Sequence, residues 1–203
     1  MTTAEADTGP TEPAADAAIV TVVTGLPRSG TSLLMQLLHA GGYPLLTDGR
    51  RVPDAHNPRG YHEFDSVKRL PRDASWLAQA RGRAVKVISP LVPHLPPTER
   101  YRFLHIDRNL EEVLASQRRM LALESRPDPA GLAEALAKSV QAAIAFITET
   151  VQSPLLRVDY ADLLRDPERS AVGIADFVRT SLDIAAMAAV VEPELHRVRA
   201  LEN

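Results

Sequence analysis

The 203-residue sequence contains no cysteine, which excludes disulfide bonds and thiolate metal sites. Its histidines include no pair at the i, i+4 spacing of a helical zinc site. No apolar run approaches membrane-spanning length, and the N-terminus lacks the basic and apolar parts of a signal peptide. The net charge of −3 gives no general attraction to nucleic acid or anionic membranes. These absences predict a cytoplasmic, metal-free protein with no nucleic-acid partner and no membrane span.

The chain is long enough for one sizeable hydrophobic core and short for two domains. Its first residues are acidic and rich in alanine and proline, so we expect a disordered leader over residues 1–16 and a single domain over residues 17–203. Nothing in the composition predicts the oligomeric state.

Apolar β-branched runs alternate with amphipathic segments along the domain. The predicted strands are Ile19–Thr24, Arg83–Ser89, Tyr101–Asp107 and Leu155–Tyr160, with Tyr43–Leu46 as a further short candidate. The predicted helices are Thr31–Ala40, Leu110–Met120, a long one over Leu132–Val151, Asp162–Thr180 and Ile184–Val191. This alternation predicts an α/β fold with a mostly parallel central sheet flanked by helices, in three layers.

A glycine-punctuated loop joins the first strand to the first helix. Gly25 and Gly30 have the Walker-A spacing, but Thr31 stands where a nucleotide hydrolase has its lysine. Arg28 supplies a basic residue inside the loop instead. Backbone N–H groups and the helix N-terminus at such a loop favour phosphate binding. The alternative is a strand-to-helix turn whose glycines only permit tight packing.

A second basic residue lies where another strand ends. Arg108 follows the strand Tyr101–Asp107, at the edge where open parallel sheets bind ligands, and Ser116 lies about two turns along the next helix. Both side chains can therefore converge on one anion. Alternatively, Arg108 pairs with Asp107 or Glu112, and Ser116 is an ordinary polar residue of a helix face.

Together these two segments resemble the bacterial sulfotransferases. Those proteins carry a Pro-Lys/Arg-Ser-Gly-Thr-Ser/Thr loop for the 5′-phosphosulfate of 3′-phosphoadenosine 5′-phosphosulfate (PAPS), and an Arg and Ser eight residues apart for its 3′-phosphate. The resemblance extends to Tyr160–Pro167, which is similar to a Tyr-x-Asp-Leu-Leu-x-Asp-Pro segment. It implies a P-loop-like fold and PAPS as donor, leaving PAP, without a metal. The donor-binding residues that it implies are Pro27, Arg28, Ser29, Gly30, Thr31, Ser32, Arg108 and Ser116.

This sequence departs from the family's pattern at two places. The Lys-x-His pair that supplies a histidine base in many members appears here as Lys86 and Ile88. We expect Lys86, with Arg28, to stabilise the oxygen of the departing phosphate, unless the lysine extends to the surface. The basic C-terminal triplet of the family is also missing. Arg197 and Arg199 are its candidate replacements over the cofactor, or else an exposed basic tail.

The candidate general base is Glu63. It lies in Asn57–Phe64, a segment similar to the Asn-Pro-x-Gly-Tyr/Phe-x-Glu stretch of bacterial sulfotransferase-like proteins. His62 is the second candidate, and a solvated role for Glu63 is the alternative. The acceptor is expected to be a hydroxyl or amine of a small molecule, carbohydrate or lipid. Two other functions stay open: a P-loop kinase or NTPase using ATP, and a non-catalytic anion-binding relative.

Overall fold

The central sheet consists of parallel strands in the order β2-β1-β3-β4. The computed structural model describes residues 18–54, 57, 60–122 and 128–191. Within them, the strands are β1 (Val20–Thr24), β2 (Ala84–Lys86), β3 (Tyr101–Asp107) and β4 (Leu155–Asp159). β1 pairs with both β2 and β3, so Val22 lies opposite Val85 on one side and Phe103 on the other. The predicted α/β fold with a parallel sheet is confirmed.

Helices cover both faces of this sheet. They are α1 (Thr31–Ala40), α2 (Leu77–Ala80), α3 (Leu110–Met120), α4 (Leu132–Ala145), α5 (Tyr160–Arg165), α6 (Pro167–Val178) and α7 (Ile184–Ala189). Two 3₁₀ segments, Asp65–Arg69 and Ser89–His94, lie between β1 and β3 in the chain, and a π-turn, Phe146–Thr150, continues α4.

Alternation along the strands divides the core into two layers. Val23 of β1 packs with Leu34 and Leu38 of α1, and the same cluster takes in α5, α6 and α7. Val20 and Val22 point to the other face, where the two 3₁₀ segments, α2 and α4 close the second cluster. β1 is therefore buried on both faces, which explains its continuous apolar sequence.

Two predicted strands are shorter than the sequence indicated. β2 ends at Lys86 because the 3₁₀ segment begins at Ser89, although Val87 and Ser89 still donate to β1 and its loop. The candidate strand Tyr43–Leu46 was wrong as a strand: the structure has only a parallel bridge from Leu45 to Ala84. Pro44 explains this, since it accepts from Ala84 but has no N–H to donate.

Two predicted helices are divided. The long helix Leu132–Val151 is regular only to Ala145 and finishes as the π-turn. The predicted helix Asp162–Thr180 is two helices, because Asp166 precedes a proline and adopts φ −139°. Asp166 caps α6 through the backbone N–H of Arg169, at 3.1 Å.

The order of the strands fixes the position of the candidate site. The chain leaves β1 for β2 on one side and reaches β3 on the other, so a crevice opens at the carboxyl ends of these strands. The loop after β1, Lys86 at the end of β2 and Arg108 after β3 all lie at this edge.

Candidate functional site

The loop between β1 and α1 has a backbone that tolerates little substitution. Gly30 has φ +113°, and a Cβ there would lie 2.8 Å from both Ile106 Cδ1 and Tyr160 Cδ2. Arg28 also has a positive φ, 75°, which costs a non-glycine residue about 1 kcal/mol or more. The loop therefore stores backbone strain at the point where its amides and the start of α1 face the crevice.

Helix α3 holds this loop through side chains. Arg28 Nε donates to Ser116 Oγ at 3.2 Å, and Gln117 Nε2 donates to the Pro27 carbonyl at 3.0 Å. Arg108 Nη1 reaches the Arg28 carbonyl at 3.2 Å. Arg108 and Ser116 thus both contact the loop at Arg28, with Gln117 as a further contact, and their convergence on one anion stays a prediction.

Arg108 also makes the ion pair that the sequence left open. Its Nε lies 2.9 Å from Glu112 Oε2, and both side chains are almost fully buried. Its guanidinium carbon lies 4.3 Å from the centre of the Tyr160 ring. Asp107 is not its partner, because that carboxylate binds Arg157 through two hydrogen bonds of 2.8 Å. Arg108 is consequently held from three sides at the edge of the crevice.

Lys86 is buried rather than extended to the surface, so the surface interpretation was wrong. Its ammonium donates to the Tyr61 carbonyl at 2.5 Å and to Ser32 Oγ at 3.3 Å, and it lies 3.3 Å from Glu63 Oε1. Burial lowers the pKa of Lys86 to about 8, and the neighbouring Glu63 opposes that shift. The Lys86 ammonium, which loses its proton more readily than that of an exposed lysine, therefore lies beside Ser32 at the start of α1.

Glu63 uses only one of its two carboxylate oxygens in the described part of the chain. Oε1 accepts from Lys86 and, at 2.8 Å, from Arg51 Nη1. Oε2 has no hydrogen-bond partner among the described residues. The side chain is 23% exposed, so Glu63 is neither fully solvated nor enclosed. An oxygen with open lone pairs thus lies beside two cations.

Side-chain contacts fix the irregular stretch against α1 that is formed by the described residues 47–54, 57 and 60–63, which we call segment 47–63. Tyr61 is buried and donates to Asp54 at 2.8 and 2.9 Å, and Arg51 stacks on its ring at 3.4 Å from the centroid. Burial and the Asp54 carboxylate both raise the pKa of Tyr61. Gln36 of α1 donates to Asn57 Oδ1 at 3.3 Å and to the Gly60 carbonyl at 3.1 Å.

These groups enclose a cavity of about 220 Å³ with a strong excess of positive charge. Its basic lining residues are Arg28, Arg51, Lys86, Arg108 and Arg119, whereas Glu63 is the acidic residue among the described residues that line it. Burial and the nearby Arg108 lower the pKa of Arg28, although Tyr61 and Asp54 oppose this. Ser29 Oγ is buried with no partner among the described residues. The arrangement is suited to an anion larger than a single phosphate.

Most of the predicted site residues meet at this cavity. Its lining includes Pro27, Arg28, Gly30, Thr31, Ser32, Glu63, Lys86, Arg108 and Ser116. His62 does not line it; its ring lies 5.9 Å from that of His39. Arg197, Arg199 and residues 1–16 lie outside the described residues, so the predicted closure over the cofactor and the predicted leader remain predictions.

Sequence reasoning missed Arg51, Gln36 and Gln117. Gln117 directly follows Ser116, so its place on α3 offered a weak signal. Arg51 and Gln36 belong to the site through hydrogen bonds to Glu63 and Gly60, respectively. No local sequence pattern predicts these contacts between segment 47–63 and its surroundings.

The described residues include neither a metal-binding cluster nor a membrane-spanning helix. No group of three His, Asp or Glu side chains there is placed to hold a metal ion. In the same part of the chain, no helix combines the length and apolarity needed to cross a membrane.

The chain is similar in structure to two sulfotransferase domains. One, from the olefin synthase of Synechococcus PCC 7002, has a TM-score of 0.53 and 19% identity over 91% of this chain and 84% of that one. The other, from the curacin biosynthetic pathway, has a TM-score of 0.52 and 14% identity over 91% and 92%. No family model and no curated protein matches the sequence. At these identities the likeness shows the fold, an α/β fold of the sulfotransferase type.

Proposed function

We propose that the protein is a sulfotransferase that moves the sulfuryl group of PAPS to a hydroxyl or amine of an acceptor. The observation that carries this proposal is the meeting of Lys86 and Glu63 with the glycine loop in one cationic cavity. A binding module for an anion needs the loop and the arginines, but it has no use for a carboxylate with an open oxygen beside them. The sulfotransferase-type fold supports the same conclusion.

The residues of the donor side fit PAPS. Backbone amides of the loop and the start of α1 would bind the 5′-phosphosulfate, with the Ser29, Thr31 and Ser32 hydroxyls as donors. Arg108 and Ser116 would bind the 3′-phosphate, which requires Glu112 to share Arg108. Tyr160, which packs against Arg108, also lines the cavity.

Glu63 is the proposed general base. Oε2 would accept the proton of the acceptor hydroxyl as its oxygen bonds to sulfur and the sulfur–oxygen bond to the donor phosphate breaks. Arg28 and Lys86 would stabilise the charge on the departing phosphate oxygen. The protein needs no metal in this scheme, because the cations around the donor are its own side chains.

A thermal-shift experiment with PAP in EDTA tests the donor site. A ligand at one hundred times its Kd should raise Tm by about 5–10 °C. Arg108→Ala should weaken the binding about 10–100-fold, since it removes a charge-assisted hydrogen bond to phosphate. Arg165→Ala, on an exposed arginine of α5, is the matched control and should bind PAP normally. The absence of any shift at millimolar PAP, or a larger one with Mg²⁺–ATP, would overturn the proposal in favour of a different ligand.

A further inference from the structure

Arg51 lies beside the proposed base in a fixed orientation. The face of its guanidinium stacks on Tyr61, 3.4 Å from the ring centroid, and its Nη1 contacts Glu63 Oε1 at 2.8 Å. Tyr61 is itself held by Asp54 through its hydroxyl and by Lys86 through its carbonyl. The plane of the Arg51 side chain is therefore set by the buried Tyr61 ring and by Glu63, which preorganises the outer edge of the guanidinium, formed by Nε and Nη2.

That outer edge has unused hydrogen-bond donors. Within the described part of the chain, Arg51 Nε and Nη2 make no hydrogen bond; the side chain is 43% exposed, and Arg51 is one of the residues that line the cavity. The open oxygen of Glu63 is next to this edge, because both groups share the contact through Oε1. A base and a bidentate cationic donor thus face the same space.

The charge balance of the reaction assigns this edge to the acceptor. The anionic groups of the donor are matched by Arg28, Lys86 and Arg108, together with the loop amides. When Glu63 takes the acceptor proton it becomes neutral, and Arg51 then lacks its only carboxylate partner among the described residues. The Arg51 guanidinium then favours a second anion as its partner, because a charge-assisted hydrogen bond to a carboxylate or phosphate is stronger than one to a neutral group.

We propose, on the premise of the proposed function, that the acceptor is a small hydroxylated anion whose carboxylate or phosphate binds the outer edge of Arg51. Hydrogen bonds of about 2.8 Å on each side of the ion pair keep the hydroxyl and the anionic group within about 10 Å of each other. Both groups therefore belong to one compact molecule. A neutral alcohol of the same shape forms the hydroxyl contact alone.

Binding to the PAP-saturated protein tests this inference without requiring turnover. The probes are two matched pairs, 4-hydroxybutyrate with 1,4-butanediol and glycerol 3-phosphate with glycerol, which separate a carboxylate from a phosphate preference. Calorimetry should give at least about tenfold tighter binding for the anionic member of one pair. Arg51→Gln should abolish that difference, whereas Arg51→Lys should retain part of it.

Arg50→Gln is the matched control, because this adjacent arginine is far more exposed and pairs weakly with Asp65. It should leave the difference within each pair unchanged. Equal binding of both members, including none by either, would overturn the inference, as would a difference that survives Arg51→Gln. Either result leaves the proposed function standing as long as PAP binds. Loss of PAP binding in the unmodified protein overturns the proposed function itself.

Discussion

The two sides of the cavity are built in different ways. On the proposed donor side, the loop of residues 25–32 joins a buried strand to a helix, and the side chains of Arg108 and Gln117 hold its backbone. On the proposed acceptor side, the described residues of segment 47–63 form no helix or strand, and side-chain contacts such as those of Tyr61 and Gln36 fix them. The donor side depends on backbone geometry and the acceptor side on long-range hydrogen bonds.

This difference indicates how each side tolerates change. A site shaped by backbone geometry is disrupted as a whole when a substituted side chain does not fit. A site held by separate side-chain contacts loses one contact with each substitution. Substitutions on the acceptor side should therefore change turnover or acceptor binding while PAP binding persists. Substitutions in the glycine loop should impair folding and PAP binding together.

The largest effect is expected from Glu63→Gln, which breaks only the acceptor side. The amide cannot accept the proton, so transfer of labelled sulfate from PAPS should fall about 10²–10⁴-fold. PAP should still produce its thermal shift, because among the described residues the Glu63 side chain is linked to the loop only through Lys86 and Ser32. Glu149→Gln, at an exposed position of the π-turn, is the control and should keep full activity. Normal turnover by Glu63→Gln would disprove the assignment of the base.

The second-largest effect is expected from Gly30→Ala, which changes the donor side. Gly30→Ala places a Cβ 2.8 Å from Ile106 and Tyr160 at φ +113°, so it should lower the free energy of unfolding by about 2–4 kcal/mol and abolish PAP binding. Gly173→Ala is the matched control, since a Cβ there meets no atom within 4 Å and the residue lies inside α6. That variant should gain about 0.5–1 kcal/mol. Chemical denaturation measures both, and equal effects would refute the backbone account.

The donor side could be predicted from the sequence because its signals are local. Gly25, Gly30 and Arg28 lie within six residues, and the start of α3 brings Arg108 and Ser116 to the same edge of the sheet. The four strands were predicted for the same reason, since each is a short apolar run. Other elements were less certain where a proline or a capping aspartate decides their bounds, as at Pro44 beside the Leu45 bridge and at Asp166 between α5 and α6.

The acceptor side could be predicted only through Glu63 and Lys86. Arg51 and Gln36 enter the site through contacts with Tyr61, Glu63 and Gly60, which depend on how segment 47–63 crosses α1. Polar residues in an irregular segment have no periodicity that tells a buried one from an exposed one. The burial of Lys86 was undecided for the same reason, because its partners come from that segment.

A third, smaller effect is the pH dependence of stability and of PAP affinity that arises from Lys86, which contacts both sides of the cavity. The unfolded chain keeps this proton to about pH 10.5 and the folded protein only to about pH 8. Between these values the unfolded state binds more protons, so the contribution of Lys86 to the free energy of unfolding rises with pH. PAP affinity should change in the opposite direction, falling by up to about tenfold per pH unit above pH 8 as the cation is lost. Lys86→Met should remove that dependence of PAP affinity, as measured by calorimetry from pH 7 to 9.5.

The smallest effect is expected from Gln36→Met, which preserves side-chain length but removes both hydrogen bonds from α1 to segment 47–63. The Gly60 carbonyl loses a donor, so the segment should be weakened by about 1 kcal/mol and acceptor KM should rise a few-fold. PAP affinity should not change, because the two side-chain hydrogen bonds of Gln36 to described residues go to Asn57 and Gly60 and not to loop residues 25–32. Gln79→Met, at an exposed position of α2, controls for the substitution itself. If Gln36→Met lowers the affinity for PAP as much as the affinity for the acceptor, the two sides of the cavity depend on the same contacts. The distinction between a backbone-supported side and a side-chain-supported side is then wrong.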